Sequence, residues 1–252
     1  MADLAVSIVG LHKSYRRGWL PRRSVQAVNG LDLEIRRGEA WALAGPNGAG
    51  KTTALHCLLG LLYPDKGRIE VLGEDPRHAP SRRLLGFQSE IFFSYSYRTA
   101  KDALRFYGRL SGLDDPDLLG RVDRVLQWLG LTSARDQPLG TFSKGMMQRL
   151  GLAQSLLHDA EVIIWDEPST GLDPEGRRLV ADLVMKLKEN GKTVLLSTHI
   201  LADIERTCDH IAIMKAGRVL RSTDMQGLLA ANPGKTLEDV FLETVREHGD
   251  AR

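Results

Sequence analysis

The run Gly45-Pro46-Asn47-Gly48-Ala49-Gly50-Lys51-Thr52-Thr53 constrains this chain more than any other stretch. Before it stands an apolar segment, Ala40-Trp41-Ala42-Leu43-Ala44, that reads as a buried strand, and after it Ala54-Leu55-His56-Cys57-Leu58-Leu59 reads as a helix. In that strand, loop and helix context G-x-x-x-x-G-K-[ST] forms a phosphate cradle. Its glycines let successive backbone N–H groups turn inward, and the following helix presents its positive end to the same anion. Lys51 is expected to reach the β- and γ-phosphates of a nucleoside triphosphate, and the Thr52 hydroxyl to hold Mg2+. The competing reading, a glycine-rich turn with a surface lysine, is disfavoured by the flanking strand and helix.

At 252 residues, 42% hydrophobic and 26% charged, the chain suits one large domain or one domain with a substantial insertion. A formal charge of +2 carries no global argument for nucleic acid or an anionic membrane. Basic residues do cluster at Arg16, Arg17, Arg22, Arg23 and at Arg36, Arg37, which reads as a solvated face. Cys57 and Cys208 lie far apart without CxxC spacing, which fits a reducing compartment and argues against disulfides and zinc. Met1-Ala2-Asp3-Leu4 lacks a basic region followed by an apolar core, and no run approaches the ~20 apolar residues needed to cross a bilayer. A cytoplasmic protein is therefore expected.

Along the chain, Leu4 to Leu11 is rich in Val and Ile and reads as an edge strand ending near Tyr15. After a basic loop with Gly18-Trp19-Leu20-Pro21, Leu31, Leu33 and Ile35 alternate with acidic residues as a half-buried strand. These two strands predict a small antiparallel sheet added to the nucleotide core. Tyr15 or Trp19 could stack on a base, although for Trp19 an ordinary amphipathic surface position is favoured. Arg68 to Gly73 and Leu84 to Phe87 read as further strands. From Thr99 to about His158 the texture turns helical, with Ala103, Leu104, Phe106, Tyr107 and Leu110 on one face and Leu118, Val122, Val125, Leu126 and Leu129 on another. Its last helix opens at Phe142-Ser143-Lys144-Gly145-Met146, where Ser143 is a natural N-cap and the helix end a second anion site.

Glu161 to Trp165 is a continuous apolar strand that delivers Asp166-Glu167 to its carboxyl end, the edge where ligands collect in open α/β sheets. Asp166 is expected to bind Mg2+, and Glu167 to orient or deprotonate an attacking water. The strand Thr193 to Ser197 brings Thr198-His199 to the same edge, which favours His199 as a γ-phosphate sensor over a packed or capping histidine. Ser169 to Pro174 is turn chemistry leading into a helix through Leu179, Leu183 and Leu187. Ile211 to Met214 and Gly217 to Leu220 read as a hairpin around Lys215-Ala216, and two short helices close the chain.

These motifs, in this order, resemble the nucleotide-binding subunit of ABC transporters: Gly45 to Thr53 as Walker A, Phe142 to Met146 as the signature, Val162 to Glu167 as Walker B and His199 as the switch histidine. Asp173 in Gly171-Leu172-Asp173 looks like the D-loop, and Tyr15 like the base-stacking aromatic. The resemblance implies an α/β P-loop NTPase with a RecA-like core, an added antiparallel β-subdomain and an inserted α-helical subdomain. It places the ATPase domain at 4–235, with core and β-subdomain from 4–98 and 159–223, the helical subdomain at about 99–158, and a helical tail at 224–252.

Two departures from the family pattern matter. The LSGGQ signature stands here as Phe142-Ser143-Lys144-Gly145-Met146, retaining the Ser143 and Gly145 that contact the γ-phosphate in the family. The Q-loop glutamine is replaced, by spacing from Gly86-Phe87, by Glu90, a possible Mg2+ ligand, with Gln88 as the nearby alternative. Both variants and the tail Leu237 to Leu242 look like single-domain ATPases that pair with separate ABC-2-type membrane subunits, mostly exporters. The resemblance thus implies ATP and Mg2+ as cofactors. It also implies a head-to-tail dimer with a second copy or close relative, and a membrane-spanning subunit that tethers the protein to the cytoplasmic face. No nucleic-acid partner is expected. The rival reading is a soluble ABC ATPase acting on a protein or nucleic-acid complex without a membrane subunit. A P-loop kinase or GTPase leaves the signature and His199 unexplained, and no Asn-Lys-x-Asp for guanine is present.

Overall fold

The computed structural model describes residues 3–16, 24–78 and 81–247, so Trp19 and Arg17, Arg22 and Arg23 lie outside the described residues. Strands β1 (Leu4–Arg16) and β2 (Ser24–Arg36) pair antiparallel, with Val6, Ile8, Leu11, Leu31, Leu33 and Ile35 all turned inward and buried. β1 is not an edge strand. It lies in the middle of a three-stranded sheet, because β4 (Lys66–Val71), beyond helix α1 (Lys51–Leu58), pairs on its other side: Ile8 faces both Leu33 and Ile69. Alternation shows which face of a strand is buried, but it carries no information on how many neighbours the strand has. Asp65 ties β1 to the turn entering β4, accepting from the Ser14 amide at 2.7 Å, the Ser14 hydroxyl at 2.6 Å and Lys13 Nζ at 3.1 Å. The Ser14 and Lys13 hydrogen bonds hold its carboxyl at about 2, well below the ordinary range.

The second sheet has six strands. Between β3 (Ala40–Ala44) and β5 (Leu85–Gln88) come α1 and β4; beyond β5 stand the helices α2 (Ala100–Leu110), α3 (Asp117–Trp128) and α4 (Lys144–Ser155). The chain then alternates β6 (Val162–Asp166), α5 (Pro174–Glu189) and β7 (Thr193–Thr198) before the hairpin β8 (His210–Lys215) and β9 (Arg218–Asp224). The spatial order is β5-β6-β7-β3-β8-β9, parallel except for β9. β3, β6 and β7 are buried on both faces, which is why they read as unbroken apolar runs. Successive residues point to opposite faces. Trp41, Leu43, Ile164 and Leu195 therefore pack with α1 and the small sheet, and Ala42, Ile163, Trp165 and Leu196 pack with the helices on the other side. Trp165 is fully buried and satisfies its indole by donating to Ser155 Oγ of α4 at 2.9 Å.

α2, α3 and α4 share the buried residues Leu104, Leu118, Val122, Leu126 and Leu150. Two short helices, α6 (Met225–Ala230) and α7 (Leu237–Glu247), return to the same core through Leu228, Leu237 and Val240. The β8–β9 turn falls on Ala216-Gly217, one residue later than the sequence reading; both have positive φ, 49° and 79°, and Lys215 pairs with Arg218. Both cysteines are buried, and desolvation pushes Cys57 up to about 11 and Cys208 up to about 12, so neither is a reactive thiolate.

Two glycines test this packing. A Cβ at Gly86 of β5 would stand 2.3 Å from the Ser155 carbonyl oxygen, whereas one at Gly120, on α3, meets nothing within 4 Å. Gly86→Ala is expected to cost about 1–3 kcal/mol through overpacking, and Gly120→Ala to gain ~1 kcal/mol of helix propensity. Urea unfolding of both variants checks the contrast; coincident midpoints would contradict the placement of β5 against α4.

Candidate functional site at the carboxyl edge of the sheet

β3, β6 and β7 end at one edge, in register: Ala44 lies opposite Thr198, and Asp166 opposite Ser197. The loop leaving β3 is held from three sides. Gly45 donates its N–H to Thr198 O at 3.3 Å, and a Cβ on Gly45 would stand 2.5 Å from the Met214 carbonyl of β8. Gly217 of the β8–β9 turn donates to Ala49 O at 2.9 Å and accepts from Asn29 N of β2 at 2.7 Å. Gly50 adopts φ 104°, and a Cβ there would meet the Ala27 carbonyl at 2.1 Å, so only glycine fits.

α2, α4, α5 and α6 each begin with a side-chain cap, from Thr99, Ser143, Asp173 and Asp224. α1 begins at Gly50 with none. Its first backbone N–H groups and its positive end therefore face the loop, which suits an anion. Lys51 is buried, donating to Gly45 O at 2.7 Å, and its Nζ lies 3.3 Å from Glu167 Oε1. Thr52 stands exposed on the first turn of α1, beside the loop.

Asp166 is 1% exposed and accepts a short hydrogen bond from the Ser197 hydroxyl. Glu167 follows in the left-handed region, φ 52°, a conformation that costs a non-glycine residue on the order of 1–2 kcal/mol. That turn lets its backbone N–H donate to Ser197 O at 3.2 Å and Ser197 Oγ at 3.0 Å. Its side chain then lies between Lys51 and His199, whose Nδ1 is 2.7 Å from Oε2. From below, Gln148 of α4 donates to the carbonyls of Glu167, at 3.0 Å, and Pro168, at 3.2 Å.

The structure thus brings together Gly45 to Thr53, Asp166, Glu167 and His199. Ser143 and Asp173 lie at the N-termini of α4 and α5, and the two helix starts touch: Lys144 packs on Gly171, and a Cβ on Gly145 would stand 3.5 Å from Leu172. Tyr15 is exposed on β1 and pairs with Val25, two residues before the Ala27 that abuts Gly50. Gln88 is buried at the end of β5 against Gly151, whereas Glu90 is exposed in the loop that follows. Sequence reasoning missed Ser197, Gln148 and the Met214 to Gly217 floor. A serine before Thr198-His199 and a glutamine five residues past an N-cap carry no local signal.

Among the described residues no group of three or more His, Cys, Asp or Glu side chains could hold a metal unaided. A hydroxyl at Thr52 and a carboxylate at Asp166 do suit Mg2+, which takes few protein oxygens and completes its shell with water and phosphate.

A glycine loop before an uncapped helix, with strand-end carboxylates on the same edge of a parallel sheet, defines a P-loop nucleotide-binding protein. The comparisons narrow the class. The family model described as ABC transporter matches residues 28–170. The chain is 43% identical over 223 residues to the uncharacterized ABC transporter ATP-binding protein YxlF of Bacillus subtilis (strain 168), covering 88% of this chain and 72% of that protein. It is 35% identical over 238 residues to the Nod factor export ATP-binding protein I of Ralstonia nicotianae, covering 94% and 72% respectively. Across the first curated relatives the chain spans 64–72% of their length. A solved structure of an ATP binding subunit of an ABC transporter superposes with a TM-score of 0.83 at 28% identity, over 96% of this chain and 99% of that one. The chain belongs to the ABC transporter family, as an ATP-binding ATPase subunit.

Ser197 offers the sharpest local test. Ser197→Ala removes a donor to Asp166 and an acceptor from the Glu167 amide, both buried. It is expected to cost about 1–3 kcal/mol of stability and to slow ATP turnover by roughly ten-fold, a ~1.4 kcal/mol loss of orientation. Urea unfolding and steady-state phosphate release measure the two effects; unchanged turnover would remove Ser197 from the positioning role.

Proposed function

We propose that this subunit hydrolyses ATP in a head-to-tail dimer and so drives substrate movement, in the direction of export, through a separate membrane-spanning subunit. The observation that carries the reading is the convergence of Lys51, Asp166, Glu167 and His199 at the uncapped start of α1. In this reading Tyr15 stacks on the base, and the Gly45 to Thr53 backbone and Lys51 hold the phosphates. Thr52, Asp166 and Glu90 would hold Mg2+, which when bound would supply charge neutralisation for the triphosphate.

Glu167 accepts a proton from the attacking water as the water oxygen bonds to the γ-phosphorus and the bond to ADP breaks. The 2.7 Å contact with His199 orients the carboxylate that does this, and in the same reading His199 is the γ-phosphate sensor. Ser143 and Gly145 serve the nucleotide of the partner copy, with Asp173 beside them. In this chain Ser143 and Asp173 already cap α4 and α5, so the two helix starts are rigid platforms. A helix N-terminus is worth roughly 0.3–1 kcal/mol against a charge, up to ~2 when partly buried. Two such clamps favour a closed dimer that reopens when the γ-phosphate leaves.

The membrane subunit is assigned to the surface beside Glu90 and the 99–158 helical lobe. A groove of about 600 Å3 there is lined by Phe87, Ile91, Phe92, Phe93 and Leu110, with Phe93 76% and Leu110 69% exposed. Exposed apolar residues in that number mark a docking surface. No helix among the described residues is long and apolar enough to cross a membrane. The likeness to a Nod factor export ATP-binding protein supports export.

Glu167→Gln keeps the shape of the side chain and removes the base. It should bind ATP, fail to release phosphate and accumulate as a dimer on size exclusion; brisk turnover would strike Glu167 from its role. Separately, Phe93→Ser with Leu110→Ser should abolish co-purification of a membrane protein from detergent-solubilised membranes while leaving ATP binding intact. Retained co-purification would move the docking surface elsewhere.

A further inference from the structure

A second cavity, of about 530 Å3, lies at the opposite edge of the sheet from the nucleotide loop, between the C-terminal halves of α3 and α5 and the end of α4. Small-molecule pockets have volumes of roughly 300–1,000 Å3 and combine an apolar wall with a few polar groups. This one has both. Val125, Leu156 and Leu183 form buried apolar wall, and Arg121, Arg124, Lys186 and Lys192 stand around it with one carboxylate, Asp159.

The bland explanation is that the cations serve the helix ends. It accounts for two of them: Arg121 donates to Leu157 O at 3.2 Å beyond α4, and Lys192 pairs with Asp159 at 2.8 Å and donates to its carbonyl at 2.9 Å. Three helix C-termini contribute about half a negative charge each, and Asp159 one more. Against four cations this leaves an excess of about one to two positive charges. The surplus resides in Lys186 and Arg124. Lys186 lies over the Trp128 ring, 4.0 Å from its centroid, and Arg124 has no ion pair among the described residues. A cation parked on an aromatic face is held weakly enough, by ~0.5–1 kcal/mol at an exposed site, to turn toward an anion.

We propose that this cavity binds a small amphiphilic anion, its carboxylate or sulfonate head on Arg124 and Lys186 and its apolar body against Trp128 and the leucines. The cavity and the nucleotide loop lie at opposite ends of β6, so both can be filled in one chain.

8-Anilinonaphthalene-1-sulfonate, a fluorescent anion of this class, is the probe, titrated into the folded full-length protein. The double variant Arg124→Glu, Lys186→Glu changes two exposed side chains, and an unaltered melting temperature shows that its fold is kept. Dye affinity should fall by roughly ten-fold, a ~1.4 kcal/mol loss, while Arg83→Glu, beside the other apolar groove, leaves it unchanged and excess MgATP does not displace the dye. Undiminished affinity in the double variant, loss in Arg83→Glu instead, or displacement by MgATP would each overturn the proposal.

Discussion

The nucleotide edge is organised by one buried contact, Lys51 Nζ to Glu167 Oε1 at 3.3 Å, with both side chains less than a tenth exposed. Two opposite charges out of water are tolerable only in company, since stripping a buried charge of its partner costs about 3–5 kcal/mol. Here the lysine has two carbonyls of its own loop within reach and the glutamate has His199. The contact therefore fixes the end of β6 relative to the start of α1, and a bound phosphate would enter between groups that already face each other.

That pair works only because the backbone around it cannot shift. The loop is backed by the Met214 carbonyl, the Gly217 turn and the Ala27 carbonyl, which belong to β8, the β8–β9 hairpin and the small sheet. Two parts of the chain far apart in sequence, Ala27 on β2 and Met214 to Gly217 on the β8–β9 hairpin, leave no room for a side chain at Gly45 or Gly50. The small sheet is thus more than an appendage, since β2 forms one wall of the phosphate loop.

The helical lobe is tied to the same edge by Gln148, which reaches from α4 to the carbonyls just after the Walker B carboxylates. α4 and α5 both start near that edge and run away from it, with Lys144 lying on Gly171 where they meet. A movement of one helix start is therefore felt by the other through side chains already in contact. Under the proposed dimer, this is how the signature end and the catalytic end of one chain would move together.

Much of this was legible in residue order, because local physics wrote it there. A glycine loop between a buried strand and a helix, a serine one residue before a helix, and unbroken apolar runs for doubly covered strands are all short-range patterns, and Gly45 to Thr53, Ser143 and β6 were readable from them, whereas the cap that Asp173 gives α5 emerged only in the structure. The spatial order of strands, the central place of β1, the partnership of Ser197 with Asp166 and Glu167, and the burial of Gln88 beside an exposed Glu90 were decided only by the tertiary structure. Each of these depends on which distant segment arrives alongside, and a strand's own alternation records its buried face but not its neighbours. Chemistry that resides in one turn of chain is spelled out by the sequence; chemistry shared between strand ends exists only after the sheet has assembled.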